Sequence, residues 1–113
     1  MIFFKNTVCD KDGRVIEFVA LDGDNSLGSC TLILGDKYAE VTKLSFESGL
    51  TFIAESLLKS AYNYAAIKNY YMAKCSVKDV DSLLLRLGFQ LNGNEYESDI
   101  PTILIGSCGS CSK

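Results

Sequence analysis

Glu47-Ser48-Gly49-Leu50-Thr51-Phe52-Ile53-Ala54 decides the fold. An apolar, strand-like run leads into it and a long amphipathic run leads out. Ser48 or Thr51 can cap the helix that follows. A strand that feeds a helix N-terminus through small residues is a place where anions bind. Free backbone N–H groups and the helix dipole point the same way there.

Downstream, Ile53, Leu57, Leu58, Ala61, Tyr64 and Ala65 recur at helical spacing. They predict a helix over 52–68 whose stripe packs on a sheet. Asn69 sits where that helix stops, and Tyr70 to Cys75 reads as a strand. Ser76-Val77-Lys78-Asp79 matches a capping box and opens a second helix over 79–87. Gly88 ends it. Phe89 to Leu91 and Tyr96 to Ile105 form two arms of a hairpin around Asn92-Gly93-Asn94. Gly106 to Lys113 is a small-residue tail.

Upstream, Ile2 to Cys9, Arg14 to Leu21, Leu27 to Leu34 and Lys37 to Phe46 read as strands. Asp10-Lys11-Asp12-Gly13, Asp22-Gly23-Asp24-Asn25 and Gly35-Asp36 supply turn chemistry between them. On the fourth strand Tyr38, Glu40, Thr42 and Leu44 share one face. Ala39, Val41, Lys43 and Ser45 share the other, unless a bulge shifts the phase. The order is four antiparallel strands, helix, strand, helix, strands. That is an α+β fold, a mixed, mostly antiparallel sheet with two main helices packed on it. It forms one domain over 1–105, followed by the tail 106–113.

With 113 residues, 48% of them apolar, the chain is long enough for one real core. A net charge of −3 argues against non-specific nucleic-acid binding, which needs a basic face. No apolar run reaches the roughly 18–20 residues that span a bilayer. Met1-Ile2-Phe3-Phe4-Lys5 lacks the pattern of a signal peptide, so a cytoplasmic protein is expected. Histidine is absent, which removes the commonest general base and excludes a Ser–His or Cys–His pair. Cys9, Cys30 and Cys75 lie in apolar segments and read as small buried hydrophobes. Cys108-Gly109-Ser110-Cys111 spaces two thiols for a disulfide or for half of a zinc site, which a homodimer could complete.

The element order, with Leu84-Leu85-Arg86-Leu87-Gly88-Phe89 before the last strands, resembles the Gcn5-related N-acetyltransferase (GNAT) family over residues 14–105. That resemblance implies an acyl-CoA N-acyltransferase-like fold with acetyl-CoA in the gap where the fourth and fifth strands splay. The pantetheine arm would run along Val41, Lys43, Leu44, Ser45 and Phe46. The pyrophosphate would sit on the backbone of Ser48, Gly49, Leu50, Thr51, Phe52 and Ala54. Aligning Leu57-Leu58 with the leucines behind the family's Arg/Gln-x-x-Gly-x-Gly/Ala loop puts Phe52 and Ala54 at its two small positions. Leu84 stands where the family usually has the Tyr that protonates the departing CoA thiolate, and Val77 where it has an Asn. The family's first two helices, which supply much of its acceptor wall, are absent or replaced by the hairpin near Gly13.

Two side chains are candidates for the chemistry. Glu40 can act as general base toward an amine, and Cys75 as nucleophile or acid. Glu47 suits the positive end of the long helix. Tyr62, Tyr64, Tyr70 and Tyr71 form an aromatic group from which a proton could come. The leading expectation is an acetyl-CoA-binding protein, an N-acetyltransferase in which a small amine attacks the thioester directly. Two alternatives stand beside it. Phe52, Leu84 and Val77 fit a non-catalytic interaction module, a homodimer built on an exposed sheet edge. Cys108 and Cys111 fit a thiol or metal carrier.

Overall fold

The computed structural model describes residues 2–106. Strands β1 (Ile2–Val8), β2 (Val15–Asp22), β3 (Asn25–Leu34) and β4 (Tyr38–Phe46) form an antiparallel meander. Helix α1 (Thr51–Ile67) then crosses over to β5 (Met72–Cys75), which lies parallel to β4. Helix α2 (Asp81–Arg86), strands β6 (Gln90–Asn92) and β7 (Glu95–Asp99) and helix α3 (Ile100–Gly106) complete the described residues. All seven strands form one sheet in the order β1-β2-β3-β4-β5-β7-β6. The α+β class and the mostly antiparallel sheet are as expected.

Alternation along the strands builds the core. Ile16, Phe18 and Ala20 of β2, Cys30, Leu32 and Leu34 of β3, Ala39 and Val41 of β4, and Ala73 and Cys75 of β5 are buried on one face. Helix α1 covers them with Ile53, Ala54, Leu57, Leu58, Ala61, Tyr62 and Ala65. Leu83, Leu84 and Leu87 of the α2 segment, with Phe89, Ile100 and Ile103, join the same core. Tyr62 rather than Tyr64 is the core tyrosine of α1, because its ring packs on Phe89 at 5.7 Å while Tyr64 meets Phe18 edge-on nearer the surface. The alternate residues of β2 to β5, such as Glu17, Ile33, Tyr38 and Met72, face the other way and stay in contact with solvent.

Two helix ends follow one rule. Asn69 (φ 75°) and Gly88 (φ 105°) take the left-handed conformation after α1 and α2. The Tyr70 amide then bonds back to Ala65 and the Phe89 amide to Leu84, each at 3.0 Å, which satisfies orphaned carbonyls.

Three expectations are corrected, and the condition set on a fourth is met. The expected strand 96–105 stops at Asp99. From there α3 begins, because the Asp99 carboxylate accepts the Thr102 amide at 3.0 Å and caps the helix. The capping box at Ser76 does not form. Asp79 takes φ 69°, and α2 opens two residues later behind Val80 with no side-chain cap. Neither Ser48 nor Thr51 caps α1, whose N-cap is Leu50. Finally, the register of β3 on β4 shifts between Thr31 and Leu32, so Thr42 is an extra residue. The bulge turns Lys43 and Ser45 away from the face of Ala39 and Val41 and returns Leu44 and Phe46 toward the core.

The hairpin after β1 uses only the segment 9–14. The Asp10 carboxylate pins it by accepting the Arg14 amide at 2.7 Å and the Val15 amide at 3.0 Å. No helix lies between β1 and β2, and none of α1, α2 and α3 covers the second face of the sheet among the described residues.

Candidate functional site

The site is built on a divergence of two parallel strands. β4 and β5 pair only from Tyr38↔Met72 to Val41↔Cys75. The Ser76 amide makes a last bond to the Val41 carbonyl at 3.1 Å. The chain then leaves β5 for α2, while β4 continues to Phe46. On the other edge β4 stays paired, through Lys43↔Thr31 and Ser45↔Ser29, and the Glu47 amide reaches the Leu27 carbonyl at 3.4 Å. Backbone groups of successive strand residues point to opposite edges. The amides and carbonyls of Lys43 and Ser45 are therefore taken by β3. Those of Leu44 and Phe46 point into the gap, past the end of β5. Of the residues expected along the arm, Leu44 and Phe46 have main-chain groups open to the gap, Val41 gives its carbonyl to Ser76, and Lys43 and Ser45 are paired with β3.

The gap has apolar surroundings. Leu44, Phe46 and Leu50 from the β4–α1 stretch and Val77 and Val80 from the β5–α2 loop are half-buried against the core. Gly49 (φ 87°) turns the chain from the gap into α1. The Leu50 amide closes that turn on the Glu47 carbonyl at 3.0 Å. The amides of Ile53 and Ala54 return to the Leu50 carbonyl, leaving those of Thr51 and Phe52 without a partner among the described residues. No acidic side chain lies in the first turn of α1. An uncapped N-terminus without a carboxylate in its first turn keeps its positive end available to an anion. Phe52 is 55% exposed at that end, whereas Ala54 is buried.

Glu40 and Cys75 lie on opposite faces of the sheet. Glu40 stands beside Lys74 in the parallel register, on the face away from the helices. It is half-buried and makes no hydrogen bond or ion pair among the described residues. Lys74 instead joins Glu95 at 3.1 Å and Glu97 at 3.5 Å and lies 4.0 Å from the centre of the Tyr38 ring. Cys75 is buried on the helical face, and burial pushes its thiol up to about 11. Burial also pushes the Cys30 thiol up to about 12. Cys75 is protonated at neutral pH and is no nucleophile there.

The four tyrosines are dispersed. Tyr62 and Tyr70 donate their hydroxyls to the carbonyls of Lys74 and Gly35, both at 2.6 Å. Tyr64 packs on Phe18, and Tyr71 is exposed. Leu84 is fully buried. Tyr96, which lay within the expected last strand without a role, sits opposite Cys75. It lines a cleft of about 430 Å³ with Ser76, Val77 and Asp81, on the far side of β5 from the gap. A larger cleft of about 660 Å³ lies near Tyr71 and Met72, at the opposite end of β5. Cys108 and Cys111 lie outside the described residues. Among the described residues no group of three or more His, Cys, Asp or Glu is placed to hold a metal ion, and no helix is long and apolar enough to cross a membrane.

The overall fold is shared with solved structures. A protein assigned to the GNAT acetyltransferases of Desulfovibrio desulfuricans superposes with a TM-score of 0.73 over 88% of this chain and 99% of its own, at 8% identity. This is the GNAT fold. The PaiA N-acetyltransferase of Thermoplasma acidophilum, solved with coenzyme A, matches with a TM-score of 0.66 at 18% identity, over 76% of this chain and 61% of its own. A GNAT acetyltransferase of Elizabethkingia anophelis, solved with acetyl-CoA, matches with a TM-score of 0.67 at 15% identity, over 80% of this chain and 77% of its own. No protein-family model matches the sequence. No curated protein matches it either. At these identities the likeness is one of fold.

Proposed function

We propose that this chain binds acetyl-CoA in the gap between β4 and β5 and transfers its acetyl group to a small amine. The observation that carries the reading is the pair of free main-chain edges at Leu44 and Phe46, followed at once by the uncapped N-terminus of α1. An extended amide-bearing arm needs the first, and a pyrophosphate needs the second. Two of the matching structures were solved with coenzyme A or acetyl-CoA, which supports the same reading.

The reacting amine would approach across the helix-free face. Glu40 is a carboxylate on that face without an ion pair among the described residues, one residue before the last paired position ahead of the gap. The amine reacts in its neutral form, and Glu40 takes the one proton its nitrogen sheds as the adduct forms, directly or through a water. The nitrogen bonds to the thioester carbonyl carbon, and the C–S bond breaks. Backbone N–H groups along the β4 edge polarise that carbonyl. The departing thiolate takes its proton from solvent. Leu84 offers none, and Cys75 holds its proton too tightly to be a good donor.

The buried apolar Leu84 favours a second reading, in which the chain binds the same cofactor without turnover. One experiment separates them. A melting curve with about 1 mM acetyl-CoA is expected to rise by several degrees. A CoA-dependent rise together with acetylation of an amine panel supports transfer. A rise with no product supports binding alone. No rise in a well-folded sample removes both readings.

A further inference from the structure

The two edges of the sheet are unequal. β6, at one edge, is three residues long. β1, at the other, is seven residues long and exposed throughout. It has a single charge, no proline and no bulge in its pairing with β2. Natural sheets usually blunt an edge of that length and apolarity, because its unpaired N–H and C=O groups template another strand.

Which groups are unpaired follows from the register. The Cys9 amide bonds to the Val15 carbonyl at 2.7 Å, in line with the Val8↔Ile16 pairing. By alternation Thr7, Lys5 and Phe3 also turn their backbone groups to β2. Ile2, Phe4, Asn6 and Val8 turn theirs outward. On the α1 side this edge borders a groove of about 240 Å³ lined by Phe4, Asn6, Phe18, Asn63, Tyr64 and Ile67. Ile67 is 71% exposed, the most exposed large apolar side chain of the described residues.

We propose that β1 pairs antiparallel with β1 of a second copy, about a two-fold axis at Phe4, to make one continuous sheet. Symmetry across a shared sheet keeps each face with its like, so residue numbers in opposite positions must sum to an even value. An axis at Lys5 would set two lysines directly opposite, which is destabilising. An axis at Asn6 would leave Ile2 and Phe3 opposite the Asp10 turn and the end of the strand. An axis at Phe4 brings Ile2, Phe3 and Phe4 of both copies into the interface. There Phe4 meets the partner's Phe4, and Lys5 lies against the partner's Phe3, a cation–π pairing. Asn6, at the groove, meets the partner's Ile2. The charge that opposes one register thus favours another.

Sedimentation equilibrium of the full chain under reducing conditions tests this. The wild-type protein is expected to be a dimer in the micromolar range. Asn6→Pro removes an outward N–H while leaving the bonds to β2 intact, and proline is tolerated at such edge positions. It is expected to weaken the dimer roughly thirtyfold, because two symmetry-related bonds are lost. Phe3→Lys, which sets lysines opposite each other, is expected to do the same and serves if the proline variant does not fold. A monomeric wild type, or a dimer that both folded variants leave unchanged, overturns the proposal.

Discussion

Tyr62 and Lys74 are joined by a hydrogen bond of 2.6 Å in which the buried phenol donates to the Lys74 backbone carbonyl. It ties the middle of α1 to β5 just before β5 parts from β4. The ring is fully buried, and burial raises the phenol well above its ordinary pKa, so the donor is never ionised near neutrality. Tyr62→Phe keeps the packing and deletes the bond. A loss of about 1–2 kcal/mol is expected, read as a lower urea midpoint at unchanged slope. An unchanged midpoint would show that this contact does not hold helix and strand together.

Gly88→Ala tests the junction of α2 and α3. A Cβ at Gly88 would come within 2.6 Å of Thr102 Cγ2, and the backbone there is left-handed at φ 105°. The conformation alone costs roughly 1–2 kcal/mol, and the clash adds to it. Thr102→Ser removes the clashing methyl and keeps a hydroxyl for Asp99. In that background Gly88→Ala is expected to cost less, but not nothing. Equal costs in both backgrounds would remove the steric part of the account.

Asp99 gives the clearest pH dependence. Its carboxylate accepts the Thr102 hydroxyl at 2.8 Å and the Thr102 amide at 3.0 Å, and these bonds lower its pKa. A carboxyl whose folded pKa lies below its unfolded one binds protons more readily when unfolded. Its contribution is therefore complete above the unfolded pKa of about 4 and is lost as pH falls through the lower folded value. Asp99→Asn keeps a capping side chain. At pH 7 it is expected to stay within about 1 kcal/mol of wild type, and below pH 4 to lose less stability than wild type. Parallel stability curves for the two proteins down to pH 2 would contradict this.

Asp99 also shows what could be read from the chain. Asp99-Ile100-Pro101-Thr102 carries an N-cap residue and a proline in the first turn, a legitimate helix start. The β-branched residues Thr102, Ile103 and Ile105 behind it equally suit a strand. The helix-closing Asn69 and Gly88 were legible because their conformations are local. The position of the bulge, at Thr42, was not, because only pairing with Thr31 and Leu32 creates it. With it went the knowledge of which β4 residues turn their backbone into the gap. The opposite faces of Glu40 and Cys75 were hidden for the same reason. They follow from the Val41↔Cys75 register of two strands separated by all of α1.

Glu40→Gln separates base catalysis from binding. Glu40 is half-buried and makes no hydrogen bond or ion pair among the described residues, so stability is expected to stay within about 0.5 kcal/mol of wild type. The melting shift with acetyl-CoA should persist, because the carboxylate lies outside the gap. If Glu40 is the base, kcat/KM for the amine falls by about 10²–10⁴-fold. Transfer at the wild-type rate would assign the deprotonation to water alone.

Leu44→Pro addresses the strand edge on which the cofactor reading rests. The Leu44 amide faces the gap, so proline there removes no bond of the β3–β4 ladder. Ser45→Pro removes an amide that β3 uses, and is expected to destabilise the sheet strongly. The pair should therefore split. Leu44→Pro is expected to fold cooperatively and lose most of the acetyl-CoA melting shift, while Ser45→Pro melts far lower with or without ligand. Retention of the full shift by Leu44→Pro would mean that the arm does not bind along β4. The phosphate contacts at Thr51 and Phe52 would then have to account for the affinity.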